Sequence, residues 1–265
     1  MKDFITLVNS KVGAFAWGPW TVALIAITGI FLMVGLRCIP LRKLGYGFKL
    51  LFEPVDQRGE GEISPFQALM TSLAATIGTG NIAGVSTAIA VGGPGAIFWM
   101  WLIAIFGIAT KYAEAVLAVH FRETDAEGNH VGGPMYYIRN GLGHGWTWMA
   151  GLFAFFGMLA GFGIGNGVQA FELAKALEKT TQIPRSATGV VLGVLIFLVV
   201  IGGVRRIARA ASAIVPVMAI LYIGACLVIL SMHINQIPSA FGLIFSSAFS
   251  GQAAVGGVFG AVVLQ

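Results

Sequence analysis

The chain has 265 residues, 57% of them hydrophobic and 10% charged, with a net charge of +5. About a quarter of a soluble domain's residues are charged, so a soluble fold this apolar could not cover its surface, whereas lipid, as apolar as leucine, removes that requirement. The positive charge does not point to nucleic acid, because the basic residues fall in short loops between apolar runs. Two distant cysteines, Cys38 and Cys226, support neither a disulfide framework nor a zinc site. His120, His130, His144 and His233 lie in loops or at segment ends without ligand spacing. What remains is an all-α membrane protein crossing the bilayer several times, and its 37 glycines fit membrane helices.

Residues 1–17 lack the long apolar core and the cleavage site of a secretory signal. Spanning helices need about 20 mostly apolar residues, and six such runs follow, over 17–36, 65–91, 96–119, 146–170, 187–203 and 208–232. A seventh starts near Ser250 and is cut off at Gln265. The stretch 41–52 is amphipathic and too short to span, so it belongs on the membrane surface. Arg37, Arg42, Lys43, Lys49, Arg58, Arg122, Arg139, Arg205, Arg206 and Arg209 fall on one side, against Lys2, Lys11, Lys175, Lys179 and Arg185 on the other. The richer side is expected in the cytoplasm, which puts the N-terminus outside and runs the second segment from inside to outside.

That second segment, residues 65–91, would be about 40 Å long as one helix, more than the roughly 30 Å of the hydrocarbon core. It carries no charge, and Gly78-Thr79-Gly80-Asn81 sits in its middle. Two glycines around a threonine, then an asparagine, make poor helix. An unwound stretch at that depth is tolerated only against protein, water or a ligand. There, freed carbonyls can hold sodium, and the half-helix amides can meet a carboxylate. The competing reading is a packing face, with Gly80 and Gly84 four apart.

In the fourth segment Gly157, Gly161 and Gly165 recur at spacing four, which would let another backbone come close. Asn166 and Gln169 follow on one side, either as ligands for a small polar substrate or as interhelical hydrogen-bonding groups. The run GFGIGNG at 161–167 has no preceding strand and is not a dinucleotide loop. Lys111 and Glu114, three apart, are the charges well inside a span, either a structural pair or a proton relay. No Ser-His, paired-Asp or His-Glu constellation suggests an intramembrane enzyme, and one broken helix does not make the ring a channel filter needs.

The stretch GGPGAIFWMWLIAIFG at 92–107 resembles the signature of the sodium:alanine symporter family, as do the GTGN run upstream, the KYAE at 111–114 and the GGPMYYI at 132–138. The resemblance covers the whole chain and implies a LeuT-type fold, two inverted repeats of five helices around a central site. Residues 1–64 would hold an extra spanning helix and the amphipathic segment, 65–232 the first repeat, and 233–265 an external loop and the start of a second broken helix. Members of the family are longer, so the chain would be truncated, lacking nearly all of the second repeat. The implied activity is sodium-coupled symport of alanine or glycine across the cytoplasmic membrane, with sodium as coupling ion and no cofactor, nucleic acid or obligatory protein partner. Gly78, Thr79, Gly80, Asn166 and Gln169 would bind substrate. Asn81, through its side-chain oxygen, and Thr76, Ala74 and Ile77, through their carbonyls, would bind sodium.

Overall fold

The computed structural model describes residues 12, 15, 16, 18–52, 63–78, 81, 84–126 and 128–249, with backbone only at Pro19, 162–166 and 168. They form α1 (Pro19–Gly35), α2 (Ile39–Arg42), α3 (Leu44–Leu51), α4 (Pro65–Thr76), α5 (Val85–Gly92) and α6 (Ala96–His120). A short antiparallel hairpin, β1 (Glu123–Thr124) with β2 (His130–Val131), leads to α7 (Pro134–Leu142). Then come α8 (Thr147–Thr181), α9 (Arg185–Val200), α10 (Gly203–Met232) and α11 (Ile237–Ser247). The chain divides into two compact units, one of Met1–Leu44, Ala83–Ala115 and Pro238–Gln265, the other of Gly45–Ile82 and Val116–Ile237.

This is an all-α membrane protein. α6 and α10 are long and apolar enough to cross a bilayer, with mean hydropathy of 1.8 and 2.7, and shorter apolar helices lie at Trp20–Gly35 and Arg185–Val200. Burial is inverted relative to a soluble fold. The buried positions are mostly alanines, among them Ala88, Ala96, Ala109, Ala174 and Ala208, while Trp20, Phe31, Val190, Phe197 and Ile220 are exposed. Small residues let helix backbones approach, and large apolar ones are left for lipid.

In the first unit α1 meets α6 at Gly29, where an added Cβ would lie 3.1 Å from Phe106 Cβ and 3.2 Å from its carbonyl oxygen. α6 also meets the end of α11: the Trp99 indole N–H donates to the Ala248 carbonyl at 2.6 Å, and the Phe98 ring packs edge-on against Phe245 at 5.8 Å. In the second unit α4 packs on α10 through Met70, Ala211 and Val215, and α8 packs on α7 and α9.

Three expectations need adjustment. The apolar run ending at 170 underestimates α8, which continues to Thr181 through Glu172 and Lys175, paired at 3.9 Å. Hydropathy stops at the first charge, but the hydrogen-bond ladder does not. Residues 237–247, expected in an external loop, form α11. The amphipathic 41–52 stretch is split between the end of α2 and α3, whose side chains are all at least partly exposed. The seventh run, 250–265, lies outside the described residues.

Candidate functional site

The second segment is two helices. α4 starts on a capping box: the Gln67 amide donates to Ser64 Oγ at 3.2 Å and the Ser64 amide to Gln67 Oε1 at 3.1 Å, with Pro65 next in line, where its missing N–H costs nothing. The hydroxyls of Thr71 and Thr76 donate back to the carbonyls of Gln67 (2.7 Å) and Ser72 (2.8 Å), so neither needs a partner outside its own helix. The Ile77 amide closes the ladder onto the Leu73 carbonyl at 2.7 Å, and Ile77 itself turns extended (φ −85°, ψ 109°). The Asn81 amide donates to the Gly78 carbonyl at 3.1 Å, and regular helix resumes at Val85. The last four carbonyls of an α-helix have no partner within it. In α4 these include Ala74 and Thr76, and Ile77 follows directly. Their carbonyls are therefore left without a partner in the ladder of α4.

Gln169, on α8, reaches this point. An added Cβ on Gly78 would lie 3.0 Å from Gln169 Nε2 and 3.3 Å from Oε1, so the side-chain amide rests directly on the Gly78 backbone. It offers both a donor and an acceptor there. The structure thus brings Gly78 and Gln169 together beside the end of α4. Asn81 follows with an exposed side chain, while Thr79, Gly80 and the Asn166 side chain lie outside the described residues.

The glycine stripe of α8 behaves otherwise. Among the described residues, nothing lies within 4 Å of where a Cβ on Gly157 or Gly161 would point. Spacing put these glycines on one face of the helix; it could not say whether α7 or α9 packs on that face. Gly165 lies outside the described side chains.

Lys111 and Glu114 do pair, at 2.8 Å, and the Lys111 side chain is 83% exposed. Among the described residues no group of three or more His, Cys, Asp or Glu side chains could hold a metal, and Cys38 and Cys226 are free thiols.

Two motifs singled out for their resemblance have structural work. Gly93, at φ 71°, ends α5 in a conformation that favours glycine. Two residues on, a Cβ on Gly95 would collide with the Ser247 carbonyl and lie 2.7 Å from the Ala248 amide. The loop motif folds back on α6: a Cβ on Gly132 would lie 2.9 Å from the Ala118 carbonyl, and Pro134 opens α7. Arg139 Nη2 then donates to both Glu123 oxygens, at 2.6 and 2.7 Å, and Asn140 Nδ2 adds a bond at 2.8 Å. The bond from Arg139, then that from Asn140, hold the Glu123 carboxyl below the usual carboxylate range. The clamp is therefore complete at neutral pH and is lost only as pH falls through that lowered value. Sequence reasoning counted Arg139 as a topology charge only; its partner 16 residues away left no periodic signal.

The sodium:alanine symporter family matches residues 2–265. A Methanococcus maripaludis protein named "Sodium/alanine symporter AgcS" is 51% identical over 99% of the chain and 58% of its own length. The Bacillus subtilis "Probable sodium/glutamine symporter GlnT" is 39% identical over 100% of the chain and 55% of its own length. The B. subtilis "Amino-acid carrier protein AlsT" is 34% identical over 100% of the chain and 56% of its own length. The chain thus spans little more than half the length of these curated relatives. With α4 ending at Thr76 and a signature stretch that docks α6 on α11, the chain belongs to the sodium:alanine symporter family, a family of transporters and not of enzymes.

Proposed function

We propose that this chain supplies the N-terminal part of a sodium-coupled symporter for a small neutral amino acid, alanine or glycine, in the cytoplasmic membrane with its N-terminus outside. The proposed architecture is LeuT-type. α1 is the extra helix, residues 65–232 are the first five-helix repeat, and 233–265 hold an external loop and the start of a second broken helix. The observation that carries this reading is the end of α4: the ladder stops at Ile77, and the Gln169 amide lies on Gly78.

In this reading the carbonyls of Ala74, Thr76 and Ile77 and the side-chain oxygen of Asn81 hold sodium. The backbone amides of Gly78, Thr79 and Gly80 receive the substrate carboxylate, since without a Cβ on the two glycines nothing stands between ligand and backbone. Gln169 and Asn166 complete the polar wall. None of the residues named for the site is a carboxylate, so in this reading sodium and a zwitterion enter with one net positive charge. One such charge moving inward gains about 2.3 kcal/mol per 100 mV, enough for roughly 40-fold accumulation before the sodium gradient is added. Among the relatives, one is named for alanine and another for glutamine. The Gln169 amide against Gly78 narrows the space beside the backbone and favours the smaller side chain here.

The test is uptake of labelled alanine and glycine into proteoliposomes containing the full-length protein, with sodium or with choline outside. Uptake should collapse in choline, and leucine should compete poorly. Undiminished uptake in choline would remove sodium from the reading, and equal competition by leucine would remove the small pocket.

A further inference from the structure

α11 ends at Ser247, and the next residue, Ala248, is fully buried. The last carbonyls of a helix have no partner within it, and within a membrane an unpaired one is costly. The Ala248 carbonyl, just past that end, accepts from the Trp99 indole N–H at 2.6 Å. Indole offers a donor and nothing else, so this bond is the whole polar role of the Trp99 side chain. Around it the contact is apolar. The Phe98 ring stands 5.8 Å from Phe245 and 5.7 Å from Phe249, and the Trp99 ring meets Phe249 edge-on at 6.3 Å. Gly95, four residues before Trp99, lies with its backbone against the Ser247 carbonyl.

Apolar packing is non-directional, so the rings alone would hold α11 against α6 in more than one register. A hydrogen bond is confined to a narrow range of distance and direction. Sliding a helix by one residue moves it roughly 1.5 Å along its axis and turns it by about 100°, which takes the Ala248 carbonyl away from the indole. Trp99 therefore selects the register, and the register fixes where the chain leaves α11. Two stretches that bear on the proposed site are joined at this point. Residues 93–95 close α5, the helix that begins four residues after Asn81. From Phe249 the chain runs on into 250–265, an uncharged stretch with glycines at 251, 256, 257 and 260.

We infer that Trp99 is a positioning residue for transport: its indole N–H, on the Ala248 carbonyl, sets the register of α11 on α6 and with it the point from which residues 250–265 enter the proposed site. The link to transport rests on the sodium-coupled reading above; the register does not. The test uses the full-length protein with three replacements. Trp99→Phe and benzothienylalanine at position 99 both remove the N–H, the second keeping the shape of tryptophan. Phe245→Leu loosens the apolar part of the same contact and keeps the bond. In hydrogen–deuterium exchange, peptides covering 250–265 should exchange about three- to tenfold faster without the N–H, the range of one neutral hydrogen bond. In Phe245→Leu they should exchange at the wild-type rate. The apparent KM for labelled alanine should rise by a similar factor in the two N–H-free proteins and stay unchanged in Phe245→Leu, at comparable melting temperatures. Equal shifts in all three variants would make the contact merely structural and overturn the inference, as would no shift in the two N–H-free proteins. Faster exchange with an unmoved KM would overturn the role in transport. Should Trp99→Phe fail to fold, the benzothienylalanine protein, which fills the same volume, decides. If the wild type shows no sodium-dependent uptake, the transport reading falls, while the exchange comparison still upholds or overturns the register.

Discussion

Gly78 at the end of α4 and Gly161 within α8 are both glycines in apolar membrane segments, yet their surroundings differ. Gly78 is covered by the Gln169 amide, whereas a Cβ on Gly161 would meet nothing within 4 Å among the described residues. Gly161 lies about two turns before Gln169 on the same helix. In the first unit, Gly95 is pressed against the Ser247–Ala248 backbone. Glycine content alone therefore says little; what each glycine does depends on whether backbone, a movable side chain or open space faces it. Substituting them one at a time separates fold, site and indifference.

Gly95→Ala should have the largest effect. Its Cβ would meet peptide backbone, which cannot rotate away, so the cost belongs at the upper end of overpacking, about 3 kcal/mol. Loss of folded protein in fluorescence-detected size exclusion, with no transport left to measure, is the expected result. Normal folding and uptake would show that α6 does not depend on this contact with α11.

Gln169→Ala comes next. It removes an amide from the wall of the proposed site while leaving the helix intact. A hydrogen bond to a charged ligand is worth about 1.5–3 kcal/mol, so the apparent KM for alanine should rise roughly 10- to 150-fold with little change in melting temperature. Gly78→Ala should raise KM by less, because the flexible end of Gln169 can shift to admit one methyl. A KM unchanged in both would mean that the contact merely packs α8 against α4. Asn81→Ala is expected to act on the ion instead, raising the sodium concentration for half-maximal uptake about tenfold, the value of one neutral ligand oxygen. If the sodium dependence of uptake does not move, the carbonyls of Ala74, Thr76 and Ile77 must be enough without Asn81.

How much of this was legible in the sequence depended on whether the signal was local. The weak point of the second segment was, because Gly78, Gly80 and Asn81 are poor helix formers within four residues; the regular helix ends only slightly earlier, at Thr76. The Lys111–Glu114 pair was also local, being three residues apart. Contacts between distant positions were not. Nothing in the periodicity of 237–247 says that its end receives the Trp99 indole, and nothing near Glu123 announces Arg139. The stripe at Gly157 and Gly161 is a local pattern for which the described residues provide no neighbour.

The smallest effect is the most discriminating one. Gly161→Ala places a methyl on an open helix face, where alanine is the better helix former by about 0.5–1 kcal/mol. In the described fold, then, this change should raise the melting temperature slightly and leave uptake unaltered. The chain, however, spans little more than half the length of its curated relatives. If a helix from the remainder of a longer protein packs on this face, the same methyl would push it away. Gly161→Ala would then destabilise by about 1–3 kcal/mol, the cost of overpacking, and would disturb uptake through the neighbouring Gln169. Thermal melting of Gly157→Ala and Gly161→Ala beside Gly151→Ala, another α8 glycine with open space around it, decides the matter. A gain at all three positions identifies the stripe as plain lipid-facing helix. A loss at 157 and 161 with none at 151 marks the face on which the rest of the transporter closes.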